Sequence, residues 1–212
     1  MNTTSALDAQ SLKTFRKNLR ESSLAVREAM DTADRDARAN RIVQRLAPVI
    51  DAIAPRILSF CWPFRGEVDV RAIVTDWLAR DATHRACLPV VMAPRTPMSF
   101  RRWYPGCELR EDTYAIPIPV NEEIVVPDCL ILPLVAFDEA GYRLGYGAGY
   151  FDRTIEAIAK AGSVPVVIGI GYECVRVPTI HPQPYDAPLD WLITEDAVFR
   201  RDGATMRTVE SG

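Results

Sequence analysis

Between Leu132 and Arg153 the chain reads LPLVAFDEAGYRLGYGAGYFDR. Gly141, Gly145, Gly147 and Gly149 are interleaved there with Tyr142, Arg143 and Tyr146. Glycines at this spacing let successive backbone N–H groups converge, and a helix starting just beyond them adds its positive end. The chemistry on offer is anion binding, with Arg143 as a charged partner. Asp152 falls in the first turn of the predicted helix. An acid there is favoured by the helix dipole by about 0.3–1 kcal/mol. Beside a phosphate cradle it is also what Mg2+ takes, since that ion uses one or two carboxylates plus phosphate oxygens and waters. Asp190, at the start of a later apolar run, is either a second such carboxylate or a solvated turn acid. A long turn whose glycines merely permit left-handed backbone is the competing reading of the loop.

Neither common nucleotide motif is present: G-x-G-x-x-G would need glycine at position 150, which is Tyr150, and no G-K-[ST] tripeptide occurs. A second source of positive charge lies upstream, where Lys13, Arg16, Lys17, Arg20 and Arg27 share one predicted helix. Arg16 and Arg20 are four residues apart and so lie on one face, able to grip a polyanion or simply to face solvent. Trp62, Tyr114, Tyr146, Tyr150 and Phe151, together with Glu67, suit a flat polar heterocycle: rings for its faces, a carboxylate for its N–H edge. Each of them taken singly is compatible with ordinary packing. The two histidines, His84 and His181, read as structural or solvated rather than as a metal or nucleophile pair. Chemistry must therefore rest on carboxylates, basic side chains and backbone amides.

These groups need a frame. A helix over Ser11 to Met30 has Phe15, Leu19, Val26 and Met30 at helical spacing, and Asp31 opens a second helix that Pro48 is expected to kink or end. Arg56–Trp62, Ala86–Met92, Cys129–Val135, Val164–Tyr172 and Leu189–Thr194 read as buried strands. Ser99–Tyr104 and Tyr114–Val120 read as shorter, exposed extended segments, and Val198–Arg200 as a possible edge strand. Asp69 is placed to cap a helix carrying Val70, Ile73, Val74, Trp77 and Leu78. Fully apolar strands alternating with helices predict a mostly parallel sheet covered on both faces, with ligands beyond the carboxyl ends of its strands. The loops after Trp62, Val135 and Tyr172 then share one edge.

At 212 residues, with 48% hydrophobic and 25% charged residues and a formal net charge of −3, the chain reads as one soluble domain and not as a general polyanion binder. No nucleic-acid partner is expected. Residues 1–10 are expected to be a disordered lead-in and 11–212 a single domain. Five scattered cysteines without C-x-x-C, no N-terminal apolar region and no apolar run longer than Cys129–Phe137 predict a reduced, cytoplasmic protein with no membrane association.

The run AFDEAGYRLGYGAGYFDR, with the basic helix before it and PLDWLITE after it, resembles the 5-formyltetrahydrofolate cyclo-ligases, also called 5,10-methenyltetrahydrofolate synthetases. Gly141 through Asp152 match the family pattern G-x-R-L-G-x-G-x-G-[YF]-[YF]-D without a gap. The motifs [KR]-x-x-[LIM]-R, G-E-V-D and L-D-x-[IL]-[IL]-T-E occur in the expected order, so the resemblance runs from about Leu12 to Phe199. It implies a three-layer α/β/α fold similar to the sugar-isomerase and CoA-transferase type, and a monomer. It also implies ATP- and Mg2+-dependent conversion of 5-formyltetrahydrofolate to 5,10-methenyltetrahydrofolate, releasing ADP and phosphate. By the same resemblance Arg16, Lys17 and Arg20 face ATP phosphates. Arg143, Leu144, Gly145, Tyr146, Gly147, Ala148, Gly149, Tyr150 and Phe151 wrap the triphosphate, with Arg143 and Tyr150 nearest the chemistry. Tyr146 through Tyr150 also touch folate, Trp62, Glu67 and Tyr114 line the folate site, and Asp152 and Asp190 hold Mg2+.

Three positions depart from the family pattern: Arg16 stands for the usual lysine, Phe151 for the second tyrosine, and Ile116–Pro119 lacks an acid that many bacterial members carry. The first keeps its charge, the second removes one hydroxyl, and the third touches only folate-side contacts. A non-catalytic folate- or nucleotide-binding paralogue is the alternative. A sugar-phosphate isomerase or CoA-transferase rests on fold analogy alone.

Overall fold

Short apolar runs alternating with amphipathic helices dictate a sheet buried on both faces, and the computed structural model, which describes residues 8–209, has one. The first half of the chain forms α1 (Ala9–Glu28), α2 (Thr32–Ile53), β1 (Ile57–Ser59), α3 (Arg71–Arg80), β2 (Arg85–Val90), β3 (Ser99–Trp103), β4 (Leu109–Glu111) and β5 (Pro117–Pro119). The second half forms β6 (Cys129–Pro133), β7 (Ala136–Asp138), β8 (Arg143–Leu144), α4 (Tyr150–Lys160), β9 (Val166–Ile170), β10 (Arg176–Val177), β11 (Trp191–Ile193), β12 (Val198–Asp202) and β13 (Thr205–Thr208).

The main sheet has eight strands in the order β13-β12-β11-β9-β6-β1-β2-β3. Strands β11, β9, β6, β1 and β2 are parallel to one another, while β3, β12 and β13 join antiparallel at the margins. Alternate residues of a strand serve opposite layers. On β6, Cys129 and Ile131 pack with Ile42, Leu46 and Ile50 of α2 and with Val74 and Trp77 of α3. Leu130 and Leu132 instead meet Ile158, Ile155 and Phe151 of α4. Two helices on one face and one on the other give the expected three-layer α/β/α arrangement. Helix α1 lies apart from both stacks and packs on β7 and on a 3-10 turn at Glu173–Val175.

Several local expectations needed correction. Residues 1–7 of the expected lead-in lie outside the described residues, and positions 8–10 are ordered: Asp8 caps α1 by accepting from the Gln10 and Ser11 amides, both at 2.9 Å. Val26 of α1 faces solvent, and the helix buries Ser23, Leu24 and Arg27 instead. Pro48 sits inside the 22-residue α2 without ending it. One missing amide is outweighed there by the burial of Leu46, Val49 and Ile50 around it. Strand β3 is not exposed: Phe100, Arg101 and Trp103 are buried. Strand β13 was not foreseen. Most consequential, the chain between β6 and α4 is not a plain loop. It first makes the β7–β8 hairpin, which pairs with β10 in a separate three-stranded sheet. That hairpin fixes the base of the glycine segment.

Candidate active site

The glycine segment leaves β8 at Leu144 and enters α4 at Tyr150. Gly147 (φ +101°) and Gly149 (φ +65°) both occupy the left-handed region, where a side chain is strained. Gly149 is the N-cap of α4 and offers no side-chain acceptor. Among the described residues the amides of Gly145, Tyr146, Gly147, Ala148 and Gly149 donate no hydrogen bond. The first amides of α4 are likewise unpaired by helix geometry. Two carbonyls of the same segment are held by arginine side chains. Arg20 Nε donates to Gly145 O at 2.8 Å, and Arg153 Nη2 donates to Ala148 O. Arginines thus hold the segment from its acceptor side, leaving a run of exposed donors at the positive end of a helix.

Three of the basic residues of α1, Arg16, Lys17 and Arg20, play different roles. Arg20 backs the loop, lying 3.2 Å (Cζ) from where a Cβ on Gly147 would stand. Burial, and after it the like charge of Arg16, pulls the Arg20 pKa down. Arg16 is turned to Asp186, which it grips with two nitrogens at 2.8 and 3.1 Å. Lys17 is solvent-exposed beside Glu21.

Asp186 leads to the acids. The next residue, Ala187, accepts from Arg143 Nη1 at 2.6 Å and donates its amide to Asp152 Oδ1 at 3.1 Å. Arg143, itself buried, closes the triangle through Nη2 to Asp152 Oδ1 at 2.8 Å. Asp190, three residues further on, spends Oδ2 on the Val167 amide at 2.8 Å, fastening β11 to the start of β9. The two carboxylates share no hydrogen-bond partner, and the 187–190 segment connects them. Asp152 Oδ2 and Asp190 Oδ1 make no hydrogen bond among the described residues and are not buried orphans. Among those residues no group of three or more His, Cys, Asp or Glu side chains could hold a metal ion. Asp152 Oδ2 and Asp190 Oδ1 are hard oxygens of the kind of which Mg2+ takes one or two, but no hydrogen bond or shared partner among the described residues brings the two acids together.

On the loop after β1, Glu67 accepts from Tyr146 Oη at 2.7 Å and from the Phe64 amide at 3.1 Å. Trp62, on the same loop, carries the Arg71 guanidinium 4.4 Å from its ring centre. Tyr114 arrives from the turn between β4 and β5, and its hydroxyl lies 3.2 Å from that of Tyr150. The structure thus gathers Glu67, Tyr114, Arg20 and the 143–152 segment at the carboxyl edge, with Trp62 on the same loop as Glu67. Two contributors were not singled out from the sequence. Arg27 is 2% exposed, with its guanidinium bonded to Tyr146 Oη at 2.9 Å. Asp186 anchors Arg16. Arg27 stands seven residues, two helical turns, after Arg20, so its place on the same face was available from spacing alone.

Burial holds the Glu67 carboxyl above its ordinary value of 4.5, against the opposing pull of Tyr146 and Arg27. The folded chain then keeps a proton that the unfolded chain has released. The stability contributed by this group is therefore present at low pH and lost as pH rises from about 4.5 through the raised folded value. Glu67→Gln cannot titrate. Urea unfolding across that window is expected to show the wild type losing stability relative to Glu67→Gln as pH rises; a difference independent of pH contradicts this.

A cluster of free amides, an acid and aromatics at the carboxyl edge of a doubly covered, mostly parallel sheet defines the class: an α/β protein of the kind that takes ligands beyond its strand ends. The family model described as 5-formyltetrahydrofolate cyclo-ligase matches residues 12–195, and the chain belongs to that family of enzymes. The chain is 27% identical over 182 residues to the 5-formyltetrahydrofolate cyclo-ligase of Haemophilus influenzae, covering 82% of this chain and 94% of that one. It is 32% identical over 142 residues to the cyclo-ligase of Escherichia coli K12, covering 64% and 76%. The solved Aquifex aeolicus 5,10-methenyltetrahydrofolate synthetase superposes with TM-score 0.75 at 28% identity, covering 93% of this chain and 97% of that one. No helix among the described residues is long and apolar enough to cross a membrane.

Proposed function

We propose that this chain uses ATP and Mg2+ to cyclise 5-formyltetrahydrofolate to 5,10-methenyltetrahydrofolate. The observation that carries the reading is the run of five unbonded amides, Gly145 to Gly149, at the uncapped start of α4. Such a run is matched to the oxygens of a triphosphate. Arg20, Lys17 and Arg16 add positive charge on the α1 side, although Arg16 acts chiefly through Asp186. Leu144 anchors the loop in the core, and Phe151 anchors the helix start.

Asp152 and Asp190 are the residues that would hold Mg2+, which supplies neutralisation of the phosphate charge when bound. Trp62, Glu67 and Tyr114, with Tyr146 to Tyr150, would hold the folate so that its formyl oxygen faces the terminal phosphate. A formamide oxygen is a poor leaving group. Transfer of the terminal phosphoryl group to it, with ADP departing, turns it into a good one. The N10 nitrogen then adds to the formyl carbon, loses its proton, and phosphate leaves as the ring closes. No side-chain nucleophile is needed, so the protein's work is positioning and charge stabilisation. Arg143 fixes Asp152, and Tyr150, tied to Tyr114, sits where the two substrates would meet.

The test is direct. Purified protein given 5-formyltetrahydrofolate, ATP and Mg2+ is expected to form methenyltetrahydrofolate, seen by its absorbance, with one ADP per product. No product sinks the reading; product formed equally well without ATP sinks the phosphorylation step.

A further inference from the structure

Arg27 is a cation with 2% of its surface exposed and, among the described residues, no carboxylate in direct contact. A charge in that position is costly unless every donor is used. Its Nε donates to Arg65 O and its Nη1 to Leu134 O, each at 3.0 Å, while Nη2 donates to Tyr146 Oη at 2.9 Å. One guanidinium therefore joins three segments of the carboxyl edge: the loop after β1, the end of β6 and the glycine segment. Its third bond has a direction that cannot reverse. Arginine only donates, so the Tyr146 oxygen must accept, and its single proton is left for Glu67 Oε1 at 2.7 Å.

We propose that Arg27 is the positioning residue that sets the direction of the Tyr146–Glu67 hydrogen bond and so presents Glu67 to the substrate as an acceptor. On its inner side Glu67 borders a crevice too tight for a water molecule, shared with Arg27, Leu134, Gly171 and Tyr172. With one oxygen taken by Tyr146 and the other by the Phe64 amide, the carboxylate keeps lone pairs for N–H donors of a planar ring. Without Arg27 the Tyr146 hydroxyl is free to rotate, and a protonated Glu67 could donate to it. The inference rests on the reading of Glu67 as a folate contact. The charged and titratable groups around Glu67 are Arg27 from α1, Tyr146 from the glycine segment and Cys61 from its own loop; Arg35 of α2 lies against the adjacent Gly66, and Tyr172 lines the same crevice. Arg27 and Tyr146 both act to lower the Glu67 pKa against burial.

The experiment is the pH profile of kcat/KM for 5-formyltetrahydrofolate, at saturating ATP and Mg2+, for wild type, Arg27→Met, Tyr146→Phe, the double variant and Glu67→Gln. Thermal unfolding of each checks the fold. Arg27→Met keeps the apolar stem and is expected to raise KM about tenfold or more, with a smaller change in kcat. Its acidic limb should move to higher pH, Tyr146→Phe should move it the same way, and the double variant should be no worse than the worse single one. A folded Arg27→Met with KM within about twofold of wild type and an unmoved limb overturns the proposal, as do penalties that multiply in the double variant. If Arg27→Met does not fold, Tyr146→Phe decides alone: an unmoved limb overturns the proposal. Glu67→Gln separates the two levels. An effect there with none at Arg27 removes the inference only, whereas no effect at Glu67 removes the folate contact and the inference with it.

Discussion

Replacing Gly147 by valine is expected to lower kcat/KM for ATP by about a hundredfold or more while leaving the folded protein intact. Two effects add at this position. Gly147 has φ +101°, and a β-branched residue forced there is strained by about 1–3 kcal/mol. Its Cβ would also stand 3.2 Å from Arg20 Cζ and 3.3 Å from Arg20 Nε. Arg20 holds Gly145 O, so relieving the clash moves the arginine, the loop, or both. Either movement turns neighbouring amides away from a common point. Because residues 145–148 are exposed, little core packing is lost, and the strain alone should lower the unfolding temperature by about 2–12 °C, leaving the protein folded at assay temperature. Steady-state kinetics with ATP varied is the check. A variant within about threefold of wild type would mean that these amides do not set the affinity.

The second large effect is expected at Asp152→Asn. Asparagine keeps an oxygen for the Arg143 guanidinium and the Ala187 amide, which now share Asp152 Oδ1. The change removes the negative charge with little change of shape. Turnover should fall about a hundredfold or more, and the Mg2+ concentration giving half-maximal rate should rise, because losing a ligand costs at least as much as losing its outer partners. Unchanged turnover with an unchanged Mg2+ dependence would show that Asp152 acts only as the partner of Arg143.

What the sequence could reveal follows from which interactions were local. Asp31 as a cap, β6 as a continuous apolar run and the start of α4 at Tyr150 depend on neighbours in the chain, and all three were legible. Errors fell where distant contacts decided. Val26 matched the helical spacing of Phe15 and Leu19, but α1 packs along the carboxyl edge instead of over a sheet face, so it buries a guanidinium in place of that valine. The β7–β8 hairpin escaped notice because each strand is two or three residues long and depends on β10, more than thirty residues away. At the site, residue types were readable and pairings were not. Arg16 was expected among phosphates, and the structure gives it Asp186, a partner 170 residues distant. Asp190 was expected beside Asp152, and it spends one oxygen holding β11 to β9.

The central claim is that the open amides of the glycine segment receive a triphosphate, and backbone NMR tests it most directly. Titrating the protein with Mg2+ and a non-hydrolysable ATP analogue is predicted to move the amide signals of Gly145, Gly147 and Gly149 saturably downfield, as charge-assisted hydrogen bonds form. Saturable binding of the nucleotide with those three signals unmoved, and shifts clustered elsewhere, would contradict it.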